Sequence, residues 1–112
     1  MHAFHRTIIA TILMLALQLV VLSSWAFAQQ AIDVQDAVST EASGINDAGV
    51  VVGTYTDSGR RNHGFRWEAG VVTHFIDVPG AVDTSVSGIN DAGAVVGRYT
   101  DSSGTVHSFI IP

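Results

Sequence analysis

The chain has 112 residues and a formal net charge of -5, and it contains neither Cys nor Lys. The absence of Cys excludes disulfides, thiolate metal sites and a cysteine nucleophile. Only Arg60–Arg61 places basic side chains together, so a nucleic-acid-binding surface is not expected. All five Leu and both Met precede Ala28, whereas residues 29–112 contain 13 Val and all 11 Gly. A Leu-free segment rich in Val and Gly predicts an all-β structure.

Residues 1–28 have the pattern of an export signal. Arg6 gives the first residues a weak positive charge, and Ile8–Leu22 is a 15-residue apolar run with two polar interruptions. Ala26 and Ala28 then provide the A-x-A spacing of small residues that a signal peptidase recognises. We therefore predict cleavage after Ala28 and a secreted or periplasmic protein of residues 29–112. The alternative is an uncleaved membrane anchor, for which the run is shorter than the usual length of about 20 residues.

The rest of the chain is an internal repeat with a period of 44 residues. Residues 31–68 align with residues 75–112 without a gap, and 22 of the 38 aligned positions are identical. We define two units, 31–74 and 75–112, of which the second lacks a counterpart of the last part of the first. The repeated positions that we interpret as structural are Gly44, Asn46, Asp47, Gly49, Gly53, Tyr55, His63 and Phe65, and Gly88, Asn90, Asp91, Gly93, Gly97, Tyr99, His107 and Phe109.

Each complete unit is predicted to contain four short antiparallel strands, A to D. The first two strands are joined by Asn-Asp-Ala-Gly, which fits a type I turn followed by a G1 bulge. Strand D is closed by Pro79-Gly80, which cannot continue a central strand. The second unit has no strand D, and Ile32–Val34 could supply it by pairing with the last strand. The predicted strands end at 43–45 and 87–89 (A), and run over 50–56 and 94–100 (B), 62–68 and 105–111 (C), and 71–78 (D).

A period of 44 residues is typical of propeller blades, each of which is one small antiparallel sheet. The predicted fold is therefore a propeller-like or partial propeller of two blades, and the alternative is a small eight-stranded barrel or sandwich. A propeller usually needs about four blades or more. We expect either self-association of two or three chains into a ring or a remnant of a longer repeat array, rather than a self-sufficient monomer.

The motifs resemble a known family. The segment G-I-N-D-A-G-x-V-V-G-x-Y-T-D, then H-x-F, then F-I-D-V-P-G-A is similar to the bacterial extracellular repeats called the HAF family, after a His-Ala-Phe tripeptide. Here the tripeptide is His63-Gly64-Phe65 and His107-Ser108-Phe109, and the resemblance covers residues 31–112. It implies an exported, propeller-like β-repeat protein and brings no catalytic residues with it.

Candidate sites for chemistry are weak. The repeated His63 and His107 are interpreted as structural rather than metal-binding, because no pair of His residues has metal-ligand spacing. The turn residues Asp47, Asp57, Asp91 and Asp101 are candidates for weak Ca²⁺ binding, although turn formation alone explains them. No nucleophile elbow is present, and neither Glu has an acidic counterpart in the other copy. We therefore predict no catalytic residue, no metal and no cofactor.

The most favoured function is a non-enzymatic structural or interaction module of the cell envelope or extracellular space. The alternative is a truncated fragment of a larger envelope propeller, and a hydrolase-like enzyme that acts only as an assembled ring ranks third. Expected partners are further copies of the chain or another repeat-containing envelope protein. A glycan is a further candidate, because Arg60–Arg61 and Arg66 lie near Trp67 and because Tyr55 and Tyr99 recur, although core packing is favoured for these aromatic residues. Membrane contact is expected only through an uncleaved leader.

The export prediction is tested by expressing the full chain in a bacterial host and measuring the intact mass of the exported protein. We expect a mature chain that begins at Gln29. Because a large charged side chain does not fit a site that recognises small residues, Ala28→Arg should leave the leader attached. Finding the first 28 residues on the exported wild-type protein would contradict the prediction.

Overall fold

The computed structural model describes residues 28–112, so the predicted leader up to position 27, including Ala26, lies outside the described residues. Within residues 28–112 the chain is all-β and has no helix, which confirms the predicted class. No helix there is long and apolar enough to cross a membrane. The strands are β1 (Ser39–Ile45), β2 (Val51–Thr56), β3 (Asn62–Glu68), β4 (Val71–Ile76), β5 (Asp83–Ile89), β6 (Val95–Thr100) and β7 (Val106–Ile111).

The strands form two antiparallel sheets in which each strand pairs with its sequence neighbour. Sheet 1 has the order β1-β2-β3-β4, and sheet 2 has the order β5-β6-β7. The first and second strands of the two sheets pair in the same register, with Ala42 opposite Gly53 and Val86 opposite Gly97. The same bulge follows each of these pairs. The 44-residue period is therefore a period of backbone pairing as well as of sequence.

Two sequence-based expectations are wrong for the described residues. The alternative of a small eight-stranded barrel or sandwich is not formed as predicted, because residues 28–112 contain seven strands and the two sheets do not close into a barrel. Within one chain, Ile32–Val34 is not a strand and does not pair with β7. The backbone N–H of Val34 instead donates to Oγ1 of Thr40 at 3.1 Å, which holds this segment next to β1. The equivalent N–H of Val78 binds Thr84 in the second unit.

The turns explain where the strands end. Gly49 has a φ of 79°, and its N–H donates to the carbonyl of Asn46, as the predicted type I turn with a G1 bulge requires. Between β3 and β4, Ala69 and Gly70 have φ values of 50° and 93°. Two successive positive φ angles define the type I′ turn, which favours tight hairpins.

The two sheets pack against each other through one face each. The junction face of sheet 1 contains the cross-strand row Thr54–Gly64–Ile76, and the junction face of sheet 2 contains the row Val86–Gly97–Phe109. Val52, Ile76, Val86 and Val95 form the buried cluster between them, with Ile89 and Phe109 packed against it. We call the opposite surfaces the outer faces of sheet 1 and sheet 2.

Close contact between the two sheets at the junction depends on a glycine, Gly64, in β3. A Cβ atom added at Gly64 would lie 2.6 Å from Cγ2 of Val86 and 2.9 Å from Cβ of Ile76. Both distances are shorter than real Cβ contacts, so any larger residue at Gly64 would push β5 away from sheet 1. The N–H of Val86 also donates to Oγ1 of Thr54 at 3.0 Å, which ties the same point of β5 to β2.

We predict that Ala69→Asn stabilises the fold. Ala69 has a positive φ, which costs an ordinary L-residue about 1–2 kcal/mol, and Asn tolerates this conformation better. The free energy of unfolding should rise by about 0.5–1 kcal/mol in chemical denaturation. Ala48→Asn, in a turn without positive φ at that position, is the control and should change the value by less than about 0.5 kcal/mol. An equal response of the two variants would contradict the assigned turn.

Candidate interaction surfaces

The outer face of sheet 2 exposes large apolar side chains. Val96 is 44% exposed, although its counterpart in the first unit, Val52, is fully buried. Val106 and Ile110 are 61% and 64% exposed on the same face. Exposed aliphatic side chains that are grouped in this way are typical of contact surfaces rather than of free sheet faces.

The outer face of sheet 1 exposes apolar side chains on its two edge strands. It carries the row Ala42–Gly53–Phe65–Phe75, in which Ala42 is exposed and Phe75 is 62% exposed, whereas Phe65 between them is fully buried. Ile45, on the same face, is 67% exposed. By the repeat, this surface corresponds to the junction face of sheet 2, and the outer face of sheet 2 corresponds to the junction face of sheet 1.

The repeated Asn-Asp-Ala-Gly turns contact each other across the junction. The backbone N–H of Asp47 donates to the Asp91 carboxylate at 2.9 Å, and the Asn46 side-chain amide donates to the Asn90 carbonyl at 3.2 Å. The hydrogen bond from the Asp47 backbone N–H holds the pKa of the Asp91 carboxyl below its ordinary value. Equivalent residues of successive units thus contact each other in a head-to-tail sense.

His63 lies between two carboxylates. Its Nδ1 is 2.6 Å from Asp77 and its Nε2 is 2.7 Å from Asp57, so both ring nitrogens donate when the imidazole is protonated. Partial burial acts to lower the pKa of His63, but the hydrogen bonds to Asp57 and Asp77 and their negative charges together raise it above its ordinary value. The His63 hydrogen bond in turn lowers the pKa of Asp57.

The second copy repeats half of this arrangement. His107 Nε2 is 2.8 Å from Asp101, and the Ser103 hydroxyl, then His107, then the Thr105 backbone N–H lower the pKa of Asp101 well below its usual range. Tyr99 stacks on His107 with centroids 4.9 Å apart, as Tyr55 stacks on His63 at 5.0 Å. In each unit, the Asp–His contact therefore holds the loop between the second and third strands against the third strand.

The tyrosine of the first unit is affected by the same charges. Burial, followed by the negative charges of Asp77 and Asp57, raises the pKa of the Tyr55 hydroxyl. Its ring also meets Phe75 edge-on at 5.7 Å. Tyr55 is therefore part of a packed cluster on the outer face of sheet 1.

The candidate Ca²⁺ ligands are found in pairs rather than in one group. Asp47 and Asp91 meet at the junction turns, whereas Asp57 and Asp101 are each hydrogen-bonded to the backbone of their own turn and to a histidine. Among residues 28–112, no group of three or more His, Asp or Glu side chains is placed to hold a metal ion.

The His–Asp clusters were missed by the sequence analysis. The signal was present as a repeated spacing, because Asp57 precedes His63 by the same six residues that separate Asp101 from His107. Asp77 comes from the segment after β4, and nothing in the local spacing indicates that it reaches His63.

The candidate glycan-binding residues do not share one surface. Arg66 lies opposite Val52 on the junction face, where it pairs with Glu68 at 3.2 Å, and Trp67 points to the outer face of sheet 1. A separate polar cavity of about 350 Å³ lies between β1 and β5, and Glu41 and Arg98 are the charged residues in its wall. This cavity is lined mainly by Ser and Thr side chains.

No family model, curated protein or solved structure matches the chain. The HAF resemblance therefore remains a prediction from the residues themselves. The candidate surfaces are defined by the geometry of this chain alone.

We predict that the stabilising effect of His63 depends on pH. Because the folded-state pKa of His63 is raised, the contribution is complete below its ordinary value of about 6.5 and is lost as the pH rises through the folded-state value. The difference in unfolding free energy between wild type and His63→Gln should therefore shrink between about pH 5.5 and pH 8.5.

Asp77→Asn gives the matched comparison, because it removes one of the two carboxylates at the His63 ring, and in that background the pH-dependent difference caused by His63→Gln should be smaller. An NMR titration of the His63 ring gives the same quantity directly. A folded-state pKa at or below about 6.5 would contradict the arrangement of two carboxylates around the ring.

Proposed function

We propose that this chain is an exported, non-enzymatic β-repeat protein that acts as a structural or interaction module of the cell envelope or extracellular space. Its units are blades of a propeller-like assembly, and its function is carried by contact between sheet faces. The proposal joins the predicted export signal of residues 1–28 to the exposed outer face of sheet 2.

The blade assignment is supported by how the two units repeat. Each sheet is a meander of neighbouring strands, as propeller blades are, and the two sheets meet face to face. The first strand of sheet 2 contacts sheet 1 at Gly64 and Thr54. Equivalent turns meet at Asp47 and Asp91. A contact between equivalent parts of successive units is the relation that builds a ring of blades.

The absence of an enzymatic role is supported by how the ionisable side chains are used. Both ring nitrogens of His63 contact carboxylates, and Asp57 and Asp101 are hydrogen-bonded to the backbone of their turns. These contacts give each group a local structural role. A general base or nucleophile needs a reactive atom directed towards a substrate-binding cleft.

The exposed apolar outer face of sheet 2 is the observation that carries the interaction function. The counterpart of Val96 in sheet 1 is fully buried by the next unit, so the fold already contains an example of how this surface is covered. A partner that supplies a further sheet would bury Val96, Val106 and Ile110.

The second candidate is a fragment of a larger envelope propeller. The open edge of the three-stranded sheet 2 favours it, because a further unit joined in the same polypeptide would cover both that edge and the outer face. In that case residues 29–112 would have no independent function.

We predict that the outer face of sheet 2 is covered in cells that export the chain. The protein contains no Cys, so Ser108→Cys on that face introduces a single thiol. This thiol should react several-fold more slowly with a membrane-impermeant maleimide than the thiol of Ser102→Cys. Ser102 is exposed in a turn away from the sheet face and serves as the matched control.

Protection must be lost when the exported protein is unfolded in denaturant, which shows that the thiol itself is reactive. Equal labelling of the two variants in cells would mean that no partner covers the face. That result would contradict the proposed interaction function.

A further inference from the structure

The junction between the two sheets is an asymmetric contact whose two halves recur on the outer faces. We propose that the outer face of sheet 2 binds the outer face of sheet 1 of a second copy of this chain, head to tail, in the geometry of the internal junction. The inference rests on the proposed function and names the partner. Four pairs of equivalent positions support it.

The first pair preserves the fit at the closest point. Inside the chain, Gly64 leaves room for Val86. By the 44-residue repeat, the corresponding pair between copies is Ser108 with Ala42 of the second copy. The residue on one side is larger by a hydroxymethyl group, and the residue on the other is smaller by two methyl groups. The two changes offset each other, so the sheets can approach as closely as they do at the internal junction.

The second pair is apolar. Ile89 packs against the buried cluster that includes Val52. The corresponding pair between copies is Ile45 of the second copy with Val96, and these side chains are 67% and 44% exposed in the single chain. Contact between copies would cover both of them, as the internal contact fully buries Val52 and partly buries Ile89.

The third pair is the turn contact. Asp91 Oδ1 accepts the N–H of Asp47, and both turns have the sequence Asn-Asp-Ala-Gly. Between copies, the Asp91 N–H of one copy takes the place of the Asp47 N–H. The Asp47 carboxylate of the next copy takes the place of the Asp91 carboxylate that accepts this hydrogen bond. Because neither residue is changed, the hydrogen bond between equivalent turns can form without any adjustment.

The fourth pair completes sheet 2. Ile76 of β4 pairs with Gly64 of β3, and by the repeat Ile32 of the second copy would pair with Ser108 of β7. Ile32 precedes β1 as Ile76 precedes β5, so the chain path that leads from sheet 1 to sheet 2 is available between copies. Because a Cβ at Gly64 would lie 2.9 Å from Cβ of Ile76, the Ser108 side chain requires the added strand to lie slightly further from β7 than β4 lies from β3. In that position it would still cover the edge of β7.

Two internal hydrogen bonds change character at this contact. Thr54, which accepts the N–H of Val86, is replaced by Arg98, which cannot accept a hydrogen bond. Asn62, whose N–H binds Asp83, is replaced by Val106, and Ser39 stands in place of Asp83. The contact between copies therefore has a guanidinium where the internal junction has a hydroxyl, and an aliphatic side chain where the internal junction has an amide. Because each chain supplies two blades, a ring of about two to four chains would contain about four to eight blades, the number typical of propellers.

The first test measures the mass of the full chain after export and processing by the host, using size-exclusion chromatography with light scattering. We expect a discrete mass two to four times that of the processed chain. In a mixture of the single variants Ser108→Cys and Ala42→Cys, mild oxidation should give a heterodimer joined by a disulfide. At the internal junction, a Cβ at Gly64 lies 2.6 Å from Cγ2 of Val86. Because Cγ2 is one C–C bond of about 1.5 Å from Cβ of Val86, the two Cβ atoms are at most about 4.1 Å apart, within the about 4.5 Å that a disulfide allows.

The matched control is Ser108→Cys mixed with Ser102→Cys, which should give at least tenfold less heterodimer.

The second test uses Gly88→Val. A Cβ at Gly88 has no heavy atom closer than Cγ2 of Val96 at 3.9 Å, so the single chain accommodates a side chain there. In the assembly this side chain would meet Gly44 of the second copy, because a Cβ at Gly44 lies only 3.3 Å from Gly88 Cα. Gly88→Val should therefore be a folded monomer.

A monomeric wild-type protein with a cooperative melting transition, and no heterodimer above the control, would overturn the self-association. If Ser108→Cys is nevertheless protected in exporting cells, a different partner covers the face, and the proposed function stands. If the thiol is unprotected there as well, both proposals fail. A Gly88→Val protein that stays folded and keeps the wild-type oligomeric mass would also overturn the proposed contact.

Discussion

The close approach of β5 to sheet 1 at Gly64 is the constraint on which the arrangement of the two units depends. Because Gly64 has no side chain, Val86 can enter the space above β3 and complete the cluster with Val52 and Ile76. The Thr54 hydrogen bond to the Val86 backbone fixes the same point. A small protein without disulfides has few other means of holding two sheets together, so the packing at this point largely sets their orientation.

The local structure of the fold could be predicted from the sequence. The Asn-Asp-Ala-Gly segments and the Gly that follows β3 require particular backbone angles, so they indicate where strands end before any tertiary contact is known. The alternation of residues along the third strand correctly places His63 and Phe65 on one face. Because the two copies share most of these turn and strand residues, the same strand pairing is expected in both.

The parts that could not be predicted depend on contacts between distant segments. Nothing local to Ile32–Val34 distinguishes a strand from the segment that the structure shows, because a strand there requires a paired neighbour. Asp77 reaches His63 only because β4 returns beside β3. Which sheet faces meet, and therefore which apolar residues remain exposed, follows from the packing at Gly64 rather than from the alternation of polar and apolar residues.

The order of strand pairing has a consequence for how the chain folds. Among residues 28–112 every strand pair is between sequence neighbours, so each sheet can form from short hairpins with little loop-closure entropy. A polypeptide is synthesised in order from its N-terminus, and sheet 1 requires no residue beyond Ile76 for its own hydrogen bonds. We therefore expect folding to follow the order of emergence, with β5 docking onto a sheet that has already formed.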